Sequence, residues 1–311
     1  MHLGTQKNDL LGLDGVDPDT LTALLDAAEA RVPMAEGVEP APATLAGRLV
    51  ANFFFEDSTR TRCSFAAAAQ RLGANVVNLA GEGSSMSKGE TLADTARNIA
   101  AMGVDTIVMR HAASGAALLV ARAVDIPVIN AGDGRHEHPT QGLLDILTLR
   151  RRLGSIRGRT IGIVGDIANS RVARSALFGL TTLGAKVILV GPPTLVGAAF
   201  TRIGAGPAMV RVEHDLDAVL PELDAVMMLR IQLERAAGGA IAADYRQLYG
   251  LSPDRMERLP AHALVMHPGP LNRGIEIDSA VADHTSRSVI LAQVAMGVAV
   301  RMAVLEWALR G

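Results

Sequence analysis

The chain has 311 residues, 49% of them hydrophobic and 20% charged, which allows a sizeable core and excludes a disordered chain. Thirty Lys and Arg face 32 Asp and Glu, and the net charge of -2 gives no global reason to expect nucleic acid or an anionic membrane as partner. The one cysteine, Cys63, excludes an internal disulfide and a cysteine-rich metal site. The length points to two domains or one large one. No basic-then-apolar leader opens the sequence. No apolar run is expected to approach a membrane span, because the most hydrophobic one is broken by Arg301 and Glu306. The cytoplasm is the expected compartment.

In chain order, "VDPDTLTALLDAAEA" predicts a helix with Asp17 as N-cap and Pro18 at its first position. Short apolar runs then alternate with helical segments: "RLVANFFFE", "ANVVNLA", "VDTIVMR", "IPVINAG", "RTIGIVGD", "KVILVGP", "VRVEHD", "DAVMMLR" and "HALVMHPGP". They are rich in Val and Ile and apolar nearly throughout, which is the pattern of strands covered on both faces. The fold class is therefore α/β, with mainly parallel sheets flanked by helices. A basic run and Gly154 break the pattern near residue 150, where the domain boundary is expected, and a new strand begins at Thr160. The last segment, from Ser286, reads as a long amphipathic helix that either closes the second domain or returns to the first.

The stretch "FFFEDSTRTR" carries the first chemistry. A buried strand runs into turn residues and then into an alanine-rich helix ending at Gly73, so Ser58, Thr59, Arg60 and Thr61 lie at a helix N-terminus. Unpaired backbone N–H groups and the helix dipole favour an anion there, and arginine adds bidentate recognition of phosphate oxygens. Helix capping alone accounts for one hydroxyl, not for the five donors Ser58, Thr59, Arg60, Thr61 and Arg62. The loop "GEGSSMSKGE" holds Lys88, one of only three lysines, and by spacing alone it reads as a solvated surface residue.

Arg110 ends the strand "VDTIVMR", at the edge where open α/β sheets bind ligands. In "DGRHEHPTQGLLD", His138 precedes Pro139 and is held extended at a helix start, with Gln141 in the first turn able to point back to it. His136 and His138 are also a weak metal pair, with Asp133 or Asp166 as partners, and the reading here is against a metal. "GIVGDIANSRVARS" lacks the third glycine of a dinucleotide fingerprint, so NAD is rejected, and Arg171 stands on the following turn. Arg230 and Gln232 alternate from a strand end. "HPGP", His267 to Pro270, makes a rigid turn whose free carbonyls suit an amine or amide ligand.

Taken together, "STRTR", "SSMSKGE", "MRH", "HEHPTQ", "GDIANSRVARS", "LRIQLER" and "HPGPLNRG" resemble the aspartate/ornithine carbamoyltransferase family, in its order and over nearly the whole chain. The likeness is closer to members that use aspartate, since ornithine enzymes typically carry a cysteine in the "HPGP" turn. The resemblance implies two similar domains joined by interdomain helices. Residues 1–150 would bind carbamoyl phosphate, with 286–311 packing back on them, and 151–285 would bind aspartate. It implies transfer of the carbamoyl group to the aspartate amine, an early step of pyrimidine synthesis, with no metal or organic cofactor.

Carried over residue by residue, the resemblance puts Ser58, Thr59, Arg60 and Thr61 on the phosphate. Arg110 serves the phosphate and the carbamoyl oxygen, His138 the same oxygen, and Gln141 the carbamoyl amide. Arg171 and Arg230 take the two carboxylates of aspartate with help from Gln232, and carbonyls near Gly269 and Pro270 orient the amine. It also implies a homotrimer, alone or as a dimer of trimers, in which Lys88 and Ser84 or Ser85 come from the adjacent subunit. Regulatory chains or a dihydroorotase are partners the resemblance admits. Asp57 departs from the family's usual Pro or Asn. The alternatives are another acceptor, such as ornithine, and a non-enzymatic anion-binding scaffold.

Overall fold

The computed structural model describes residues 7–80, 89–206, 208–231 and 244–310. Each of the nine apolar runs contributes one strand: β1 Leu49–Phe54, β2 Asn75–Ala80, β3 Thr106–His111, β4 Val128–Asp133, β5 Thr160–Val164, β6 Lys186–Val190, β7 Val210–Glu213, β8 Ala225–Met228 and β9 Leu264–Met266. Between them lie helices α1 Pro18–Ala35, α2 Thr59–Arg71, α3 Leu92–Ala101, α4 Ala116–Ala123, α5 Pro139–Leu153, α6 Arg171–Thr182, α7 Leu216–Val219, α8 Tyr245–Tyr249, α9 Pro253–Arg258, α10 Ser279–Ala282 and α11 Ile290–Ala308. The chain divides into two compact units. One comprises residues 1–147 and 295–311, the other 148–294.

In the first unit the sheet order is β2-β1-β3-β4, parallel throughout. β1, β3 and β4 are buried along almost their whole length, which is why their sequences show no polar alternation. The local signals act as their chemistry requires. Asp17 caps α1 by accepting from the N–H groups of Asp19 and Thr20, and Thr91 caps α3 by accepting from Asp94 N–H. In α2 the buried residues Thr61, Phe65, Ala68 and Ala69 form one stripe. Phe65 is fully buried, and truncating such a ring to alanine costs about 3–5 kcal/mol.

The second unit holds a five-stranded parallel sheet in the order β7-β6-β5-β8-β9. Its core runs from Val164 and Val226 in the strands to Tyr245, Leu251 and Val281 in the covering segments. In both units the parallel arrangement sends every strand end to one sheet edge, where the loops that carry chemistry emerge.

Two sequence expectations about the C-terminal segment are corrected. The helix α11 is not amphipathic: from Met296 to Glu306 all but one of its residues are buried, whichever side they lie on. Nor is it too short or too polar for a membrane span, being 19 residues long with a mean hydropathy of 1.5. Its apolar character serves packing, since 67% of it is buried within the protein. Its two charges are held inside. Glu306 accepts from Arg31 Nε and Nη2, both at 2.9 Å, and from Thr44 Oγ1 at 2.6 Å. Arg301 Nη1 donates to Gly297 O at 2.9 Å, and its guanidinium lies 5.0 Å above the Phe65 ring.

Candidate active site

At the edge of the first sheet, Phe54 pairs with Arg110 in register, and Phe55 N–H donates to Arg110 O at 2.8 Å. The end of β1 and the end of β3 are thus side by side, and β1 leads within five residues into α2. Ser58 is the N-cap of α2, yet its side chain makes no cap hydrogen bond. The helical ladder begins with Arg62 N–H to Ser58 O at 3.1 Å, so the N–H groups of Thr59, Arg60 and Thr61 precede it. Thr61 is buried, Ser58 is half-buried, and Thr59, Arg60 and the preceding Asp57 are exposed. Crowding still desolvates Arg60 enough to hold its guanidinium below its ordinary pKa. Such a cation gains from a counter-anion.

Arg110 is 9% exposed. Its Nη1 donates to Ala131 O on β4 at 3.1 Å, and its Nη2 lies 3.6 Å from Glu56 Oε1. Behind these groups is Arg301. Burial first, and then the positive charge of Arg110, push its pKa down to about 9; Asp145 opposes the shift and Arg60 adds to it.

His138, 4% exposed, stands directly before Pro139, the first residue of α5. The turn that delivers it is built on Asp133. That carboxylate accepts from Gly115 N–H and Asn130 Nδ2, each at 2.7 Å, and from Glu137 N–H at 3.2 Å, and it pairs with His136 at 3.1 Å. Burial alone would raise the Asp133 pKa; the hydrogen bonds from His136, Asn130 and Gly115 outweigh it and hold the group below the ordinary range. Gly134 lies in the left-handed region at φ +49°, and a Cβ there would meet Ala112 O at 2.9 Å. Gln141 does not turn back to the helix start as expected. Its Nε2 donates to Asp145 Oδ1 at 2.9 Å, one turn along α5, where a buried carboxylate is the stronger acceptor. His136 is largely exposed on Asp133 whereas His138 is buried, and among the described residues no three His, Cys, Asp or Glu gather as a metal-ligand set.

At the edge of the second sheet, Gly165 N–H donates to Val190 O at 2.8 Å, and Asp166 accepts from Asn169 Nδ2 at 2.8 Å in the turn before α6. Ser170 caps that helix through Ala173 N–H at 3.1 Å, which makes the half-buried Arg171 its first residue. The neighbouring strand β8 ends at Met228. Leu229 N–H donates to Val164 O at 2.8 Å, and half-buried Arg230 follows. Arg171 and Arg230 therefore emerge from adjacent strands of one sheet edge.

Past β9, His267 N–H donates to Gln293 Oε1 at 2.9 Å, and its ring Nδ1 accepts Gly269 N–H at 2.8 Å. The ring proton then sits on Nε2, facing Glu276 Oε1 at 3.1 Å. The same Oε1 accepts Asn272 N–H at 2.6 Å, while Asn272 Nδ2 reaches Ile231 O at 3.1 Å. Gly269–Pro270 is a cis peptide, with Gly269 half-buried and Pro270 exposed. Of the sequence candidates, Ser84, Ser85, Lys88 and Gln232 lie outside the described residues.

Sequence reasoning missed Glu56, Asp145 and the setting of Arg301. Each acts through a partner distant in sequence or one turn away, and a charge inside an apolar helix was the only available signal, for Arg301.

A family model described as the carbamoyl-P binding domain of aspartate/ornithine carbamoyltransferase matches residues 8–151, and one for the Asp/Orn binding domain matches residues 157–308. An aspartate carbamoyltransferase catalytic subunit of Myxococcus xanthus is 56% identical over 299 residues, covering 96% of this chain and 98% of its own. An aspartate transcarbamoylase of Trypanosoma cruzi, solved with carbamoyl aspartate and phosphate, superposes with a TM-score of 0.86 at 34% identity, over 96% of this chain and 95% of that one. The same enzyme with N-(phosphonacetyl)-L-aspartic acid gives 0.86 at 31% identity with the same coverage. An ornithine carbamoyltransferase of Pyrococcus furiosus gives 0.84 at 26% identity, over 98% and 97% of the two chains.

Proposed function

The chain belongs to the aspartate/ornithine carbamoyltransferase family, and we propose that it transfers the carbamoyl group of carbamoyl phosphate to the amine of L-aspartate. The products are N-carbamoyl-L-aspartate and phosphate, an early step of pyrimidine synthesis, carried out in the cytoplasm. What most supports aspartate over ornithine is the pair Arg171, opening the helix that follows β5, and Arg230, just past the end of the neighbouring strand β8. Two guanidinium groups suit an acceptor with two carboxylates, whereas a cationic side chain calls for an acid.

In this reading the phosphate sits on the first turn of α2, held by Ser58, Thr59, Arg60 and Thr61 and by the N–H groups that precede the ladder. Arg110 reaches the phosphate and the carbamoyl oxygen. His138 donates to that oxygen, and Gln141, released from Asp145, takes the carbamoyl amide. Gln232 assists the arginines on aspartate. Carbonyls near Gly269 and Pro270 orient the amine. That turn is suited to the task because its N–H groups are already engaged with His267 and Glu276.

The amine nitrogen bonds to the carbamoyl carbon, giving a tetrahedral oxyanion. The carbon–oxygen bond to phosphate then breaks, and the departing phosphate accepts the amine proton. Thr61, Arg110 and His138 face the developing negative charge, ordinarily the largest electrostatic contribution. Holding both substrates in reacting geometry supplies up to ~7–11 kcal/mol. We further propose a homotrimer in which Lys88 and Ser84 or Ser85 of one subunit complete the site of the next. Dimerised trimers, regulatory chains and a dihydroorotase are the assemblies this reading admits.

Initial rates with carbamoyl phosphate and either aspartate or ornithine test the acceptor. Turnover with aspartate alone is expected. Turnover with ornithine overturns the acceptor, and no turnover with either points to the scaffold role.

A further inference from the structure

Glu137 stands between His136 and His138 and has no role in the scheme above, yet it is 1% exposed. Its side chain leaves its own loop. Oε2 accepts Leu13 N–H at 2.7 Å and Oε1 accepts Asp14 N–H at 3.1 Å. Its main chain binds the Asp133 turn: the N–H donates to Asp133 Oδ1 at 3.2 Å, and the carbonyl accepts from Asp133 N–H at 3.2 Å and Asn130 Nδ2 at 3.3 Å. A buried carboxylate is stable only when donors meet it. Here they come from the N-terminal segment, 124 residues away.

That segment, residues 7–14, is itself fastened to β4. Leu10 bridges Ile129, donating to Val128 O at 3.0 Å and accepting Asn130 N–H at 2.9 Å. Asp9 Oδ1 accepts Val128 N–H at 2.8 Å, and Leu11 O accepts Asn130 Nδ2 at 2.8 Å. Lys7 Nζ donates to Ala121 O and Val124 O at the C-terminal end of α4. The strap is thus tied to β4 along its length and to Glu137 at its end. A Cβ added at Gly12 would overlap the Glu137 carboxylate, so the strap and the side chain fit with no space between them.

We propose that Glu137, gripped by this N-terminal strap, is a positioning residue for His138. The strap fixes the carboxylate, and the carboxylate and the Asp133 turn fix the peptide that enters His138. The imidazole is thereby held where it meets the carbamoyl oxygen. The proposal rests on His138 having that role. Misplacing a donor by about 1 Å costs on the order of a hundredfold in rate. The groups that hold the substrates' charges stand elsewhere and keep their affinity.

The test uses full-length Glu137→Ala and Gly12→Ala, each alone and combined with His138→Ala. Sites are titrated with N-(phosphonacetyl)-L-aspartate so that kcat refers only to folded, binding-competent protein. Expected is a kcat loss of at least about tenfold in each single variant, with KM for both substrates within about twofold. In the His138→Ala background neither substitution lowers kcat further. Equal losses in both backgrounds, a loss expressed in KM, or unchanged kcat in the single variants overturns the positioning role. His138→Ala with wild-type kcat overturns the reading of His138 itself, and the positioning role with it, before any Glu137 comparison is made. If Glu137→Ala does not fold, Gly12→Ala, which leaves the carboxylate present, is judged by the same criteria.

Discussion

Glu56 Oε1 lies 3.6 Å from Arg110 Nη2, with side-chain exposures of 23% and 11%. The distance exceeds that of a charge-assisted hydrogen bond, so this is an ion pair without a formed N–H···O bond. Arg110 is also engaged by Ala131 O. An anion that approaches the end of β3 therefore competes with Glu56 for the Arg110 guanidinium.

Removing that competitor should strengthen anion binding. Glu56→Gln is expected to tighten inorganic phosphate about three- to tenfold, the scale of a partly buried ion pair of about 1 kcal/mol. Titration calorimetry at low and moderate salt measures it. Unchanged or weaker phosphate binding in the variant rules out competition at Arg110.

Arg230 is expected to act on the acceptor alone. Arg230→Met should raise KM for aspartate roughly 10- to 100-fold, the loss of one charged hydrogen-bonded pair, and leave the dissociation constant of carbamoyl phosphate unchanged. Arg230→Lys should recover little, because a point charge does not replace a planar fork. A carbamoyl phosphate constant that shifts as far as KM for aspartate contradicts the division of labour between the two sheet edges.

Asp133 gives the protein an acid-labile turn. Its folded pKa is depressed by hydrogen bonds from His136, Asn130 and Gly115 that outweigh burial. A depressed carboxylate contributes stability that is full above its unfolded pKa, about 4, and is lost as pH falls through the folded value. Asp133→Asn should be less stable than wild type by about 1–3 kcal/mol at pH 7, since an amide nitrogen then faces the donors. The gap should narrow below about pH 4. Urea melts of both proteins at pH 7, 4.5 and 3.5 measure it, and a gap independent of pH contradicts the assignment.

What the sequence made legible follows the range of the interactions. Strands buried on both faces advertise themselves, and all nine runs became strands. The start of α2 and the cap of α1 were equally plain, because a cap involves residues two or three apart. The positions of Arg110 and Arg230 at strand ends, and of Arg171 past the turn that follows β5, come from the same pattern. The character of α11 was misjudged because Glu306 finds its partners 275 and 262 residues away, at Arg31 and Thr44. No local period shows that such a charge is buried. Glu137 was overlooked between two histidines for the same reason, and Gln141 turned to an acid that the motif alone did not suggest as its partner.

The proposed sharing of sites between subunits makes a sharper prediction than any single substitution. Lys88 and Arg60 belong to different halves of the proposed site, one from each of two adjacent subunits. Arg60→Ala removes the phosphate clamp, and Lys88→Ala removes the contribution from the neighbour, so each homotrimer should be nearly inactive. In a mixed trimer, one interface pairs an intact Arg60 with an intact Lys88. Chains exchanged at random between equal amounts of the two variants put one such site in each mixed trimer. Three-quarters of the trimers formed at random are mixed, so activity should recover to about a quarter of wild type per chain. Exchange is confirmed separately with differently tagged chains. Recovery near that level supports sites built across subunits. No recovery after confirmed exchange shows that each chain uses its own Lys88, or that Lys88 has no part in the site, and a Lys88→Ala homotrimer with full activity identifies the second case.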